Sequence, residues 1–173
     1  MKIILKNVRL SYANVWEPKS INGSEPKYST SILVSKDDKD NIEKIQKAVE
    51  TIRATSAQKW GGKIPATLKM PLRDGDVEKP DVEDYRGHCF INANSKQRPG
   101  IVDAYMNPIT DTTQVYSGCY VNISVTLYPF NVSGNKGIAC GLNNIQKVRD
   151  GANLSGRPKV TDDFEVEECD SLV

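Results

Sequence analysis

Aromatic side chains set among uncharged polar ones suggest what chemistry this sequence can do. Between Val115 and Tyr128, the odd positions from Cys119 onward are apolar, and the even positions hold tyrosines and small polar residues without a charge. This period of two predicts a β-strand with one face on a core and the other toward solvent. Flat aromatic rings beside hydrogen-bonding groups are typical of a surface on which unpaired bases stack. Tyr116 and Tyr120 are the candidate stacking residues of this strand.

A second predicted strand, His88–Ser95, repeats the pattern. Its apolar residues alternate with a face that carries Phe90 beside two asparagines, so Phe90 is a third candidate for stacking. Basic residues follow in turns close to the ends of the predicted strands, where they are expected to contact phosphates. These phosphate candidates are Lys96, Arg98 and Lys136.

Trp16 and Lys19 complete the set of candidate binding residues. Both lie in a stretch, residues 14–27, whose Pro and Gly content predicts a loop. Trp16 could stack on a base, although a lone tryptophan more often anchors its own loop.

The sequence offers little for catalysis or metal binding. It contains one histidine, His88, and four cysteines without a C-x-x-C pair, which argues against a histidine-based metal cluster, a disulfide framework and a zinc site. Reduced thiols are expected, and no cofactor is predicted. The acids between Asp74 and Asp84 leave a metal-dependent nuclease as an alternative, but a solvated charged loop explains them better. A non-catalytic assembly module, with the tyrosine face as a subunit interface, also stays open.

Charge is distributed unevenly along the chain. Residues 161–173 contain six acids and no basic residue, whereas residues 1–160 hold all 23 Lys and Arg against 16 of the 22 acids, a net charge of +7. A basic body with an acidic end predicts a polyanion-binding surface and a segment that competes for it. We therefore expect two parts, a binding domain over residues 1–160 and a disordered acidic tail over residues 161–173.

The order of elements predicts a mainly β protein. Ile42, Ile45, Val49 and Ile52 recur at helical spacing and predict a helix from Asp37 to Lys59 (about residues 37–60), capped by Ser35 or Asp37 and ended by Gly61–Gly62. A long loop over residues 63–87 follows it. Short strands are predicted at residues 2–12, 28–34, 88–95, 101–105, 115–128 and 137–143. Together they favour an OB-fold-like Greek-key barrel with one inserted helix and long loops.

Four stretches also resemble a known family. They are Arg9–Lys19, Pro26–Ser29, Tyr116–Asn122 and Gly134–Asn143. They are similar to the bacteriophage single-stranded-DNA-binding proteins of the Enc34 type, and the similarity covers roughly residues 1–165. The resemblance implies an OB fold, single-strand binding in phage replication or recombination, and likeness to the T7-type binding proteins with acidic C-termini. One departure is that such tails often end in an aromatic residue, whereas this one ends in Leu172–Val173.

The sequence therefore predicts a sequence-tolerant, non-enzymatic single-stranded-DNA-binding protein. Bases would stack on exposed aromatics, basic residues would neutralise phosphates, and the acidic tail would compete for the groove. Expected partners are single-stranded DNA and phage replication proteins that read the tail; a homodimer is left open and no membrane contact is expected. The resemblance places the protein in the cytoplasm of the infected bacterial host.

Overall fold

The computed structural model describes residues 1–20, 22–154 and 164–167. Within these residues, two helices and seven strands follow one another. They are β1 (Lys2–Lys19), β2 (Lys27–Ser35), α1 (Lys39–Thr55), β3 (Leu72–Asp74), α2 (Gly75–Glu78), β4 (His88–Ser95), β5 (Gly100–Val102), β6 (Tyr120–Val132) and β7 (Asn135–Arg149). Short 3₁₀ turns span Ala57–Trp60 and Glu83–Tyr85. No helix among the described residues is long and apolar enough to cross a membrane.

Five of the strands close into a barrel. β1 pairs antiparallel with β2 and with β6, β2 pairs with β4, and β6 pairs with β7. The barrel closes where β4 runs parallel to β7, with Asn94 opposite Gly141. A five-stranded Greek-key barrel with one parallel closing pair is the OB fold, and the prediction of a mainly β OB-type barrel is confirmed.

The interior is filled by the apolar face of each strand. Val121, Ile123, Val125 and Leu127 of β6 are at most 1 % exposed, as the alternation predicted. Ile138, Cys140 and Leu142 of β7 and Ile91 and Ala93 of β4 meet them from neighbouring strands. The predicted inward faces of these three strands are therefore confirmed.

Helix α1 covers one end of the barrel. It begins after Asp38, whose side chain accepts a hydrogen bond from the Asn41 backbone N–H at 3.2 Å, so neither Ser35 nor Asp37 is the cap. The buried side-chain amide of Asn41 donates to the Lys6 carbonyl at 2.8 Å, which fixes the start of the helix to β1. The helix stops at Thr55, because Ala57–Trp60 tightens into a 3₁₀ turn that ends at left-handed Gly61.

Several predicted strand boundaries are wrong. β5 ends at Val102 and not at residue 105, and β7 spans Asn135–Arg149 and not residues 137–143. β1 continues to Lys19, where Lys19 pairs with Lys27, so the loop predicted over residues 14–27 shortens to about residues 20–26. The strand predicted from Val115 begins at Tyr120 instead. Gly118, with a φ of 119°, interrupts the extended backbone at this point, although its N–H still donates to the Leu10 carbonyl of β1 at 2.8 Å.

The segment predicted as a long loop, residues 63–87, is a structural part of the barrel. Its Lys69 bridges to Gly137 of β7, and β3, which begins three residues later, pairs with β4. The segment therefore fills the gap that remains between β4 and β7. Lys36 fastens it through ion pairs to Asp74 (2.8 Å) and Asp76 (2.6 Å), and these hydrogen bonds hold the pKa of both carboxyl groups below the ordinary value.

Gly137 tests this packing. A Cβ there would meet the Lys69 carbonyl oxygen, the Lys69 Cβ at 2.8 Å and the Phe130 ring at 2.9 Å, whereas a Cβ at Gly141 would have no neighbour closer than 3.6 Å. We expect Gly137→Ala to lower the free energy of unfolding by about 1–3 kcal/mol, and Gly141→Ala in the same strand to change it by less than about 0.5 kcal/mol. Equal denaturation midpoints for the two variants would show that the segment over residues 63–87 can move away from position 137 without loss of stability.

Candidate nucleic-acid interface

A groove crosses the outer face of β1, β2 and β4. It has a volume of about 610 Å³. Ser29 and Ser31 of β2 lie opposite Asn94 and Asn92 of β4 and form its polar floor. One wall is the loop between β1 and β2 with Lys19 and Lys27, and the other contains Lys79 and Tyr85.

Tyr12 is the exposed aromatic side chain of this groove. Its side chain is 58 % exposed, and its centroid lies 6.3 Å from the centroid of the buried Tyr85 ring. The Lys79 ammonium lies 5.9 Å from the Tyr12 centroid. Tyr12 has a φ of 46°, a left-handed conformation that interrupts the regular alternation of β1. A ring, a cation and hydrogen-bonding groups thus converge on one open surface.

Sequence reasoning did not single out Tyr12, because β1 has no regular alternation from which a face could be assigned. A signal was nevertheless present. The outward residues of β2 and β4 are serine and asparagine at successive alternate positions, which marks the strand face beside Tyr12 as polar.

The predicted exposure of Phe90 is wrong. Phe90 does point away from the barrel interior, but it is only 1 % exposed. Tyr85 packs edge-on against it with 5.1 Å between centroids, and the Arg73 guanidinium lies 5.2 Å from its ring. The segment over residues 72–85 therefore buries Phe90 in a second small apolar cluster with Leu33.

The prediction that Tyr116 lies on the open strand face is also wrong. Tyr116 precedes β6 and packs against the main core. Its hydroxyl lies 2.9 Å from Asp150 Oδ1 and 3.0 Å from the Gly151 carbonyl oxygen, and it accepts the Gly151 N–H at 3.2 Å. Tyr116 thus anchors the chain that leaves β7.

Tyr120 lies on the outer face of β6, as predicted, but its ring already has partners. The Arg149 guanidinium carbon lies 3.6 Å from the ring centroid, and that of Arg9 lies 5.5 Å away. Arg9 is held in place because it donates to the Gly118 carbonyl at 3.0 Å and to the Ala152 carbonyl at 2.8 Å.

The remaining candidates occupy two regions. Lys19 lines the groove, and Lys96 pairs with Glu25 of the groove wall at 3.2 Å. Trp16 is half-buried and donates to the Val115 carbonyl at 2.9 Å, so it anchors β1.

Arg98 lies 5.4 Å from the Trp16 ring. Lys136 is remote from this groove, and its ammonium donates to the Trp60 carbonyl at 3.1 Å. Among the described residues, no group of three or more His, Cys, Asp or Glu side chains could hold a metal ion.

The anchoring role of Tyr116 predicts a stability effect. Tyr116→Phe keeps the ring but removes the hydroxyl that joins Asp150 and Gly151, so we expect the free energy of unfolding to fall by about 1–3 kcal/mol. Tyr12→Phe removes a hydroxyl from an exposed side chain and should change stability by less than about 0.5 kcal/mol. Urea denaturation of both variants measures the difference, and equal stabilities would contradict the assignment of Tyr116 as an anchor.

The chain is similar to known phage proteins over nearly its whole length. The family model described as "Enterobacter phage Enc34, ssDNA-binding protein" matches residues 1–172. Protein p50 of Acyrthosiphon pisum secondary endosymbiont phage 1 is 33 % identical over 99 % of this chain and 94 % of its own length.

Solved structures agree with the family match. The single-stranded DNA-binding protein from bacteriophage Enc34, in complex with ssDNA, superposes with a TM-score of 0.78 at 28 % identity and 89 % coverage of each chain. The structure of gp2.5, a single-stranded DNA binding protein encoded by bacteriophage T7, has a TM-score of 0.63 at 14 % identity, covering 97 % of this chain and 98 % of that one, which shows a shared fold. The Enc34 and T7 proteins are both described as single-stranded-DNA-binding proteins. The chain belongs to the Enc34 single-stranded-DNA-binding protein family.

Proposed function

We propose that this protein binds single-stranded DNA with little sequence preference, in phage DNA replication and recombination, through the groove on β1, β2 and β4. The observation that carries the proposal is the exposed Tyr12 ring, which lies beside the Lys79 ammonium above a polar strand face. OB folds bind oligonucleotides on the corresponding face, which is formed by their second and third strands. The family match and the similarity to a protein solved with ssDNA support the same function.

Base stacking and phosphate contacts both contribute to binding in this groove. A base on Tyr12 contributes on the order of 1–3 kcal/mol, and stacking tolerates every base because each has a flat π-face. Lys19, Lys27 and Lys79 flank the floor and are placed to neutralise phosphates. Asn92 and Asn94 of the floor are exposed, and their amide groups can donate or accept hydrogen bonds, so they suit different base edges. The Ser31 hydroxyl, by contrast, is buried and accepts from the Tyr85 hydroxyl at 2.9 Å.

Two basic residues extend the proposed phosphate path beyond the groove wall. Lys96 is exposed and would exchange its ion pair with Glu25 for a phosphate. Arg98 is exposed and stacked over Trp16, which orients its guanidinium. Lys136 is left out of this path because its ammonium holds the Trp60 carbonyl.

We further propose that the acidic end of the chain, residues 161–173, competes with DNA for this groove. This segment lies mostly outside the described residues. The chain before it is tied to the barrel, since Leu154 donates its N–H to the Ser117 carbonyl at 2.8 Å and packs beside Tyr85 and Phe90. At most about 28 Å of extended chain separates Leu154 from Asp162, so the first acids of the tail can reach the groove.

A tail displaced by DNA would be free for a protein partner. We propose that phage replication proteins bind it, and that the protein acts in the cytoplasm of the infected bacterial host. A homodimer would require a face outside the groove.

Substitution of Tyr12 tests the stacking role. Tyr12→Ala should weaken binding to oligo-dT by about 1–3 kcal/mol, or roughly 5- to 150-fold, while Tyr12→Phe retains the ring and most of the affinity. Fluorescence anisotropy at one fixed salt concentration measures both variants. Folding is not expected to change, because the side chain is exposed. Unaltered affinity in Tyr12→Ala would contradict the stacking role, and wild-type protein that binds no oligo-dT would contradict the function itself.

Removal of the tail charge tests the competition. A variant lacking residues 161–173 should bind oligo-dT more tightly than the full chain, and the gain should be larger at low salt, because salt screens the attraction between tail and groove. A tail of equal length with its six acids changed to Asn or Gln separates charge from chain length and should behave like the deletion. Equal affinities of all three proteins at low salt would show that the tail does not reach the groove.

A further inference from the structure

The outer face of β6, together with the parts of β1 and β7 that pair with it, has one sign of charge. Residues 2–16, 120–132 and 135–149 contain no Asp or Glu. Lys2 and Arg9 of β1 and Arg149 of β7 lie on or beside this face, where Arg9 and Arg149 are both paired in register with Tyr120. These cations attract a polyanion to the face.

One end of this face presents cations on an aromatic ring. The Cζ atoms of Arg149 and Arg9 lie 3.6 Å and 5.5 Å from the centroid of the Tyr120 ring. Arg149 is exposed and has no ion-pair partner within the described part of the chain. A guanidinium held over a ring keeps its planar set of N–H donors, which suits contact with a phosphate.

The middle of the face carries polar side chains that are hydrogen-bonded to one another. The Asn122 amide donates to Gln146 Oε1 at 2.9 Å, and the Asn143 amide donates to the Thr126 hydroxyl at 2.9 Å. Ile4 of β1 and Tyr128 of β6, 44 % and 41 % exposed, are the large apolar side chains beside these polar pairs. Charge and polarity together favour a nucleic-acid occupant.

An exposed aromatic ring is held at the edge of this face by a rigid turn. Asp103 Oδ1 accepts the backbone N–H groups of Tyr105 (2.8 Å) and Asn107 (2.9 Å). Gln146 donates to the Ala104 carbonyl at 3.3 Å, which fastens the turn to the outer face of β7. Tyr105 is 86 % exposed, so its ring is available for stacking.

We propose that this face is a second contact surface for single-stranded DNA, and that a strand leaving the groove continues around β1 onto it. β1 links the two surfaces directly, because Tyr12 lies in the groove and Arg9 beside Tyr120, at most about 11 Å of chain apart. Arg149 contacts a phosphate there, and Tyr105 stacks on a base. The inference rests on the proposed function, since it assigns a longer path to the same ligand.

A length series of oligo-dT, from about 4 to beyond 16 nucleotides, tests this path, because OB folds cover about that range of site sizes. The double variant Arg149→Gln, Tyr105→Ala should bind the shortest oligomers that occupy the groove as wild type does. For the longest oligomers its affinity should be lower by roughly tenfold or more. The slope of log K against log salt should also be less steep by about 0.7, the value for one phosphate contact on a single strand.

Matched controls separate this face from general effects of charge. Lys47→Gln removes a cation from the exposed side of α1, where Lys47 is 76 % exposed and paired with Glu43, and should change neither affinity nor salt slope. Lys79→Gln removes a cation from the groove and should weaken binding at every length.

Three results would overturn the second surface. They are equal affinity of the double variant and wild type for the longest oligomers, an equal loss at all lengths, and a loss of self-association in sedimentation velocity without an effect on DNA. Wild-type protein that binds no oligomer of any length would contradict the proposed function instead, so the two failures are distinguishable.

Discussion

Closure of the barrel between β4 and β7 is the constraint on which the rest of the structure depends. The two strands pair directly only at Asn94 and Gly141, and the segment containing Lys69 and β3 fills the remaining gap. Because that segment comes from residues 63–87, its position fixes the wall of the groove as well as the barrel. Tyr85 and Lys79 reach the groove only because β3 and the Lys36 ion pairs hold the preceding chain in place.

Residues with a clear period of two could be assigned from sequence. The strand His88–Ser95 matches the structure at both ends, and the inward residues of β6 and β7 are as predicted. Burial of one side of a sheet makes apolar and polar residues alternate along each strand, and this alternation can be read from the sequence. Helix α1 could be placed because its apolar residues recur at helical spacing, with an error of a few residues at each end.

Features that depend on tertiary packing could not be assigned in this way. Phe90 has the outward position expected of a stacking residue, yet its cover comes from a stretch without any periodicity. The outward position of Tyr12 could not be assigned from the sequence pattern of β1. Two residues in the left-handed region, Asn7 and Tyr12 itself, shift the register of β1 against both neighbouring strands. Tyr116 continues the alternation of β6 in sequence, but the turn at Gly118 separates it from the strand. The candidate site therefore differs from the predicted one mainly in which aromatic residue is exposed.

The late position of β7 in the chain has a consequence for biosynthesis. β7 supplies the partner of β6, the closing contact with β4 and the anchor for Lys69, so none of these can form until residues 135–149 have left the ribosome. Until then β4 keeps an unpaired edge over part of its length, and such edges associate readily with other chains. The nascent protein thus keeps an edge that favours aggregation until β7 emerges.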